Sequence, residues 1–150
     1  MATVNTDATY EQDFYAWTQE QAALLKAGKL TEIDIANIAE ELEDMGKSQR
    51  NQLVTRLGVL LAHLLKWRHQ SERRRYGNSW KYTIKGQRRR IQRLLAENPS
   101  LKSKLDPLLL DAYGDAVLMA ARETGFEEEQ FPASCPWRLE QILDNDFWPD

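Results

Sequence analysis

Residues 33–70 read IDIANIAEELEDMGKSQRNQLVTRLGVLLAHLLKWRHQ, and this stretch decides the fold. Apolar side chains recur in it every three or four positions, with Gln49 as the one polar step, in the series Ile35, Ile38, Leu42, Met45, Leu53, Leu57, Leu60, Leu64 and Trp67. This spacing places them all on one face of an α-helix. Because the phase is unchanged across Gly46, we predict one continuous helix from about residue 32 to 69, capped by Thr31 and about 50 Å long at 1.5 Å per residue.

The two halves of this predicted helix differ in the width of their apolar face. The first half is amphipathic, with Glu40 and Asp44 opposite the apolar stripe. The second half is apolar on nearly every side because it adds Val54, Val59, Leu61, Ala62 and Leu65. A helix that is apolar all round is buried. We therefore expect residues 53–67 to lie at the centre of a helical bundle.

An N-terminal helix is predicted by a second series of three- and four-residue steps, Tyr10, Phe14, Trp17, Gln21 and Leu24. Thr9 and Gln12 have the spacing of a capping box at its start. Gly28 is placed to end it in a left-handed conformation. Residues 1–8 are expected to form a ragged N-terminus.

Three further helices are predicted after residue 79. The first covers residues 80–94, and the second runs from the helix-start signature Asn98-Pro99 to Gly125 with a kink or break at Pro107. A short final helix follows Pro136, and Phe147 and Trp148 are expected to fasten the tail to the bundle. The sequence thus predicts a single all-α domain over residues 1–150, an antiparallel bundle of about five helices around one long central helix.

Composition and cysteine content favour a cytoplasmic protein. The chain has 150 residues, of which 42% are hydrophobic and 29% charged, as in ordinary globular domains. Its one cysteine, Cys135, cannot form an internal disulfide, which favours a reducing compartment. The N-terminus lacks the pattern of a secretory signal, and the longest apolar run, residues 57–65, is far shorter than the ~20 residues that cross a bilayer. We expect no membrane association.

Charge is strongly segregated along the chain. Residues 66–93 contain eleven Lys or Arg and one acid, whereas residues 32–44 contain six acids and no Lys or Arg. Residues 123–150 add eight acids against one Arg. Segments of opposite sign can face each other within one fold or bind external partners.

The basic segment supplies the candidate contacts to nucleic acid or to an acidic partner. Arginine and lysine are the side chains that bind phosphates, and the candidates are Arg73, Arg74, Arg75, Lys81, Lys85, Arg89, Arg90 and Arg93. The alternative is that this face is solvated or neutralised by the acidic segments. The pI near 5.5 is consistent with that alternative.

Glu41 and Arg88 are the candidate structural ion pair. Glu41 borders Ile38 and Met45, and Arg88 lies between Ile84 and Ile91 at the edge of an apolar face. A planar guanidinium suits a bidentate contact with a carboxylate. We therefore expect this pair to set the register between the second and third helices.

No catalytic, metal or cofactor constellation is visible in the sequence. A helical di-iron site needs Glu-x-x-His pairs, and neither His63 nor His69 has a Glu three residues before it. Cys135 has no base that the sequence places beside it, so a small apolar role is expected. His63 is expected to be a hydrogen-bonded core histidine. We therefore predict no enzymatic activity, no metal and no cofactor.

Five segments carry a resemblance to a known family. AEELEDMG, LLAHLLKWRHQ, SWKYTIKGQRRRI, ENPSLKSKL and FPASCPWRLEQIL occur in this order and cover roughly residues 10–148. In them the chain resembles the bacterial, largely cyanobacterial, family known as domain of unknown function twenty-nine. The resemblance implies a small, all-helical cytoplasmic protein and carries no activity, cofactor or catalytic residue.

Two functions follow as expectations. The first is a non-catalytic protein-interaction or adaptor module with acidic and basic faces and an unidentified protein partner. The second is a nucleic-acid-binding or regulatory module that uses residues 66–93.

Overall fold

A computed structural model of the protein describes residues 6–70, 72 and 79–150 and confirms an all-α helical fold. The described part of the chain contains no β-strand. Its α-helices are α1 (Thr6–Gln12), α2 (Phe14–Lys26), α3 (Ile35–His69), α4 (Ser79–Glu97), α5 (Leu105–Thr124) and α6 (Leu139–Leu143). Short 3-10 helices cover Pro99–Lys104 and Glu128–Gln130. No helix within the described ranges is long and apolar enough to cross a membrane.

Contacts along the chain group it into two compact units, Met1–Ser48 and Gln49–Asp150. Helix α3 contributes its first turns to the first unit and the remainder to the second. The single domain over residues 1–150 stays a prediction. Each unit is described by itself below.

The N-terminal helix is interrupted, which corrects the prediction of one helix capped by Thr9 and Gln12. Asp13 separates α1 from α2, and its side-chain oxygen accepts a hydrogen bond of 3.0 Å from the amide of Ala16. An aspartate in this position satisfies one of the amide groups left free at a helix start. Since α1 begins at Thr6, Thr9 lies inside a helix, and residues 6–8 are helical instead of ragged.

Gly28 ends α2 as predicted. Its φ of 72° is in the left-handed region. The Gly28 amide donates to the carbonyl of Leu25 and the Lys29 amide to that of Leu24, at 3.1 and 2.9 Å. These two bonds form a Schellman motif, which satisfies carbonyls at the end of the helix.

Helix α3 begins at Ile35. The predicted start is residue 32 with Thr31 as the cap, so the observed start lies three residues further along the chain. The Asp34 side chain accepts hydrogen bonds from the amide of Asn37 at 3.4 Å and from its side-chain nitrogen at 2.8 Å. From Ile35 the helix runs without interruption through Gly46 to His69, 35 residues or about 52 Å at 1.5 Å per residue. The prediction of one continuous helix is confirmed.

The core of the second unit forms around the C-terminal half of α3, as expected. Leu53, Leu57, Leu60 and Leu64 are fully buried in one cluster with side chains of α4 and α5. Ala112, Ala116 and Ala120 on α5 are also fully buried. A Cβ at Gly58 would lie 3.6 Å from the carbonyl oxygen of Ala112, so the two helices approach closely at small residues.

The chain between α4 and α5 changes helix type two residues before the predicted break at Pro107. The 3-10 helix starts at Pro99 and gives way to α5 at Leu105. Pro107 therefore lies in the first turn of α5, where a missing amide hydrogen costs no intrahelical bond. Gly125 ends α5 with a φ of 78°, as predicted.

Candidate interaction surfaces

The first half of α3 exposes the apolar stripe that the periodicity of the sequence predicts. Ile35, Leu42 and Met45 are 67%, 62% and 64% exposed, and Ile38 beside them is half-buried. We call Ile35, Leu42 and Met45 the open face. Leu53 follows Ile35 by about five full turns at 3.6 residues per turn, so it lies on the same side of the helix. On this side of α3, Leu53 is fully buried in the core. The residues of the open face, on the same side, are exposed to solvent.

Helix α3 is held to α2 by a polar seam beside the open face. The Trp17 ring nitrogen donates to the Asp34 carboxylate at 3.0 Å, and the Asp34 amide donates to the Gln21 side chain at 2.7 Å. Burial opposes ionisation of Asp34, but the hydrogen bonds from Asn37 and Trp17 outweigh it and lower its pKa. The contacts between α2 and α3 run along this seam. The open face takes no part in them and stays exposed.

The Tyr10 hydroxyl extends the seam by donating a hydrogen bond to Glu41. This bond, together with partial burial and the neighbouring acids, raises the pKa of Tyr10 to about 12. The Tyr10 ring also packs edge-on against Trp17, with centroids 4.7 Å apart. Glu41 therefore sets the register of α3 against the first helices.

Arg88 has partners other than the predicted Glu41, which corrects the expected ion pair. Its guanidinium is fully buried and donates to the carbonyl oxygens of Ile142 and Phe147, each at 2.8 Å. It also lies 5.5 Å from the centre of the Trp148 ring. Burial lowers the pKa of Arg88, and Asp144 nearby opposes that shift.

Arg88 thus closes the C-terminal end of α6. A helix leaves its last carbonyls without intrahelical donors, and they attract a cation. Gln92, one turn further along α4, donates to the carbonyl of Leu143 at 2.9 Å. The predicted fastening of the tail is confirmed by these bonds and by the Trp67 and Trp148 rings, whose centroids are 4.6 Å apart.

The acids of residues 32–44 belong to the same segment as the open face, and Glu40 and Asp44 lie on the side of α3 opposite it. Glu32, Glu40, Glu43 and Asp44 are all exposed. Within the described ranges no group of three or more His, Cys, Asp or Glu side chains is arranged to hold a metal ion. The open face is therefore an apolar strip on a segment of negative net charge.

Only some of the predicted basic residues of α4 line a cleft. Lys85, Arg89, Arg90 and Arg93 are exposed and Lys81 is half-buried. Arg90 and Arg93 line an open cleft of about 440 Å³, which Lys81, Lys85 and Arg89 do not line. Arg73, Arg74 and Arg75 lie outside the described residues.

The cleft brings α4 together with a part of α3 that was not predicted to contribute to a site. Its lining residues are Gln52, Arg56, Arg90, Arg93, Leu94 and Glu97. The Arg93 Nε atom lies 3.1 Å from the Glu97 carboxylate, an exposed pair one turn apart. Gln52 and Arg56 are also one turn apart, and this polar pair in a nearly apolar half-helix is the signal that could have identified them.

A buried lysine lies on the other side of the second unit. Lys66 is 5% exposed, and its Nζ atom lies 2.5 Å from the Glu123 carboxylate and 3.4 Å from His63 Nε2. The hydrogen bond from Lys66 lowers the pKa of Glu123. His63 Nδ1 is 2.8 Å from the Val59 carbonyl, and burial lowers the pKa of His63. The predicted hydrogen bond of His63 is confirmed, but the side chain is half-buried and does not belong to the core.

Cys135 is half-buried beside Trp137. Its Sγ donates to the Trp137 carbonyl at 3.4 Å, and burial raises the pKa of its thiol. A nucleophilic cysteine needs the opposite shift. The geometry therefore fits the small apolar role that was predicted.

These elements define a class of protein. It is all-helical, with one long helix whose C-terminal half is buried and whose N-terminal half has an exposed apolar face. The chain belongs to the family described as Domain of unknown function DUF29, which it matches over residues 9–148. No curated protein and no solved structure matches the chain.

Proposed function

We propose that the protein is a non-catalytic interaction module whose open face binds a helix from a protein partner. The observation that carries the proposal is the exposure of Ile35, Leu42 and Met45 on the side of α3 that is core further along. Amphipathic helices bind such strips through apolar residues spaced three, four and seven apart. The open face has this spacing, since Leu42 follows Ile35 by seven positions and precedes Met45 by three.

The net charge of the segment that carries the open face favours a cationic partner. Residues 32–44 carry six acids and no compensating Lys or Arg. A second copy of the chain docked through the same face would bring two segments of negative net charge together, and like charges across an interface are costly. The occupant we propose is an amphipathic helix with apolar anchors flanked by Lys and Arg.

The side chains with catalytic potential have structural contacts, which supports a non-catalytic role. His63 is bound to a main-chain carbonyl of its own helix, and burial raises the pKa of the Cys135 thiol, which keeps it protonated. One cysteine in 150 residues supports our proposal that the protein works in the cytoplasm.

A second candidate function is nucleic-acid binding through α4. The observation that favours it is the exposure of Lys85, Arg89, Arg90 and Arg93 on a single helix. Binding to generic DNA or RNA that weakens steeply with salt and is lost on reversing the charges of Arg89 and Arg93 would support it. Absence of binding at low salt would reject it.

The leading proposal is tested with a fluorescently labelled helical peptide of leucine and lysine, with a leucine and glutamate peptide as its charge-reversed counterpart. We expect the cationic peptide alone to raise the fluorescence anisotropy on titration. Leu42→Ser and Met45→Ser should each weaken its affinity about tenfold or more, because each removes a buried apolar contact. Leu110→Ser is the matched control, since Leu110 is 76% exposed outside the open face.

Three outcomes would contradict the proposal. The cationic peptide does not bind, or Leu110→Ser weakens binding as much as Leu42→Ser, or sedimentation shows that the free protein is a dimer dispersed by Leu42→Ser. The last result would assign the open face to a second copy of the chain.

A further inference from the structure

The arginine cleft of the second unit is a second candidate site, separate from the open face. Three arginines line it, Arg56 from α3 and Arg90 and Arg93 from α4, against the single carboxylate of Glu97. The cleft therefore carries an excess of two positive charges. Guanidinium groups that converge in this way repel one another, and a bound anion relieves that repulsion.

We propose that this cleft binds the phosphoryl group of a small, hydroxyl-bearing phosphate ester. Guanidinium groups match phosphate oxygens in planar, paired hydrogen bonds, which a lysine cannot reproduce. Three guanidinium groups can donate hydrogen bonds to all three terminal oxygens of a phosphate monoester. One of them, Arg93, also lies 3.1 Å from the Glu97 carboxylate in an exposed pair that leaves its remaining N–H groups available.

The remaining lining residues define the rest of the ligand. Gln52 and Glu97 can exchange hydrogen bonds with hydroxyl groups, and Leu94 supplies a small buried apolar surface. The volume of about 440 Å³ is that of a small-molecule site. A sugar or polyol phosphate satisfies all of these groups together.

A nucleic-acid backbone fits the cleft less well than a single phosphoryl group. The cleft lining includes the Glu97 carboxylate, which repels additional phosphates. Lys85 and Arg89, which would have to continue a basic track along α4, are not part of the cleft lining. The proposal is also independent of the open face, which belongs to the first unit.

The test measures thermal stabilisation of the full chain by inorganic phosphate, glycerol 3-phosphate and glycerol at constant ionic strength. A ligand that binds only the folded state stabilises it by RT ln(1 + L/Kd), where L is the free ligand concentration, so the midpoint of unfolding rises with the ratio of ligand concentration to Kd. We expect glycerol 3-phosphate to bind more tightly than inorganic phosphate, and glycerol to have no effect. Arg90→Gln and Arg56→Gln should each weaken phosphate binding about tenfold or more.

Arg89→Gln is the matched control, because Arg89 is exposed on the same helix outside the cleft. It should leave both affinities unchanged. Glu97→Gln should strengthen binding of inorganic phosphate, since it removes the one repulsive charge, and should reduce the preference for glycerol 3-phosphate. Arg90→Gln changes an exposed side chain, so it reports on the site even where Arg56→Gln lowers stability.

The proposal is overturned if phosphate stabilises no more than chloride of the same ionic strength. It is also overturned if Arg89→Gln weakens binding as much as Arg90→Gln, which would indicate general charge screening. A single-stranded oligonucleotide that displaces glycerol 3-phosphate and loses affinity in Arg89→Gln would assign α4 to nucleic acid instead. Loss of peptide binding in the Leu42→Ser variant leaves the phosphate result unaffected, so the two proposals fail separately.

Discussion

Arg88 needs hydrogen-bond acceptors, as its position in the sequence predicts, but its partners are not the predicted ones. An arginine at the edge of an apolar face must be paired, and the sequence pattern pointed to Glu41. The structure supplies main-chain carbonyls of Ile142 and Phe147 instead. The amino-acid sequence does not show which main-chain carbonyls lack hydrogen-bond donors at the end of a short helix and in the tail that follows it. These acceptors therefore could not be predicted from the sequence.

Replacing Arg88 should therefore destabilise the second unit strongly. Arg88→Ala leaves two buried carbonyls without donors and opens a cavity, which we expect to lower the free energy of unfolding by about 3 kcal/mol. Arg89→Ala, on the exposed side of the same helix, should change it by less than about 0.5 kcal/mol. Urea unfolding followed by tryptophan fluorescence measures both values, and equal losses in the two variants would refute the role given to Arg88.

Glu41 is predicted to control the titration of Tyr10. The folded-state pKa of about 12 exceeds the ordinary value of 10.0, so the stabilisation from this hydrogen bond is complete below pH 10 and is lost as the pH rises through 12. Glu41→Gln should bring the midpoint of the Tyr10 titration back toward 10.0. NMR of tyrosine labelled at Cζ measures this midpoint, and an unchanged midpoint in Glu41→Gln would contradict the assignment.

At the scale of single helices, α3 shows what periodicity can predict. An uninterrupted phase from Ile35 to Trp67 requires one helix, and one helix is found. Periodicity gives the apolar side of a helix, but burial depends on which other helices reach that side. For this reason the repeat alone could not separate the exposed open face from the buried leucines of the second unit.

Helix starts are harder to predict from this sequence than helix continuity. Asp13 and Asp34 cap α2 and α3, whereas the sequence favours Thr9 and Thr31 as the caps. Several residues near each start could act as a cap, and tertiary partners decide between them. The Trp17 ring, which donates to Asp34, lies 17 residues away and is invisible to a local pattern.

Two glycines of opposite backbone conformation make a paired test of α3 and the end of α2. Gly46 is exposed inside α3, and a Cβ added there would meet no neighbouring group within 4 Å, so Gly46→Ala should raise stability by about 1 kcal/mol. Gly28 has equal space but a φ of +72°, so Gly28→Ala should lower stability by about 1 kcal/mol. Thermal unfolding followed by circular dichroism gives both signs, and destabilisation by Gly46→Ala would indicate that the helix does not continue through that position.

At the scale of the whole molecule, the segregation of charge visible in the sequence corresponds to surfaces of different character. The acids of residues 32–44 and the open face belong to the same segment of the first unit. The basic segment is divided in the second unit between the outer side of α4 and the arginine cleft, and Arg56 joins the cleft from α3. The sequence predicted the signs of these surfaces but not the cleft, because its lining comes from two helices about 35 residues apart in the chain.

The central claim is that one side of α3 is structural core in the second unit and solvent-exposed in the first, where we propose that a partner binds. The most direct test is the free energy of unfolding of Leu42→Ala beside that of Leu57→Ala. Leu57 is fully buried, so its truncation should cost about 2–5 kcal/mol, whereas truncation of Leu42, which is 62% exposed, should cost less than about 0.5 kcal/mol. A loss at Leu42 comparable to that at Leu57 would show that the fold itself covers this face, and would contradict the account.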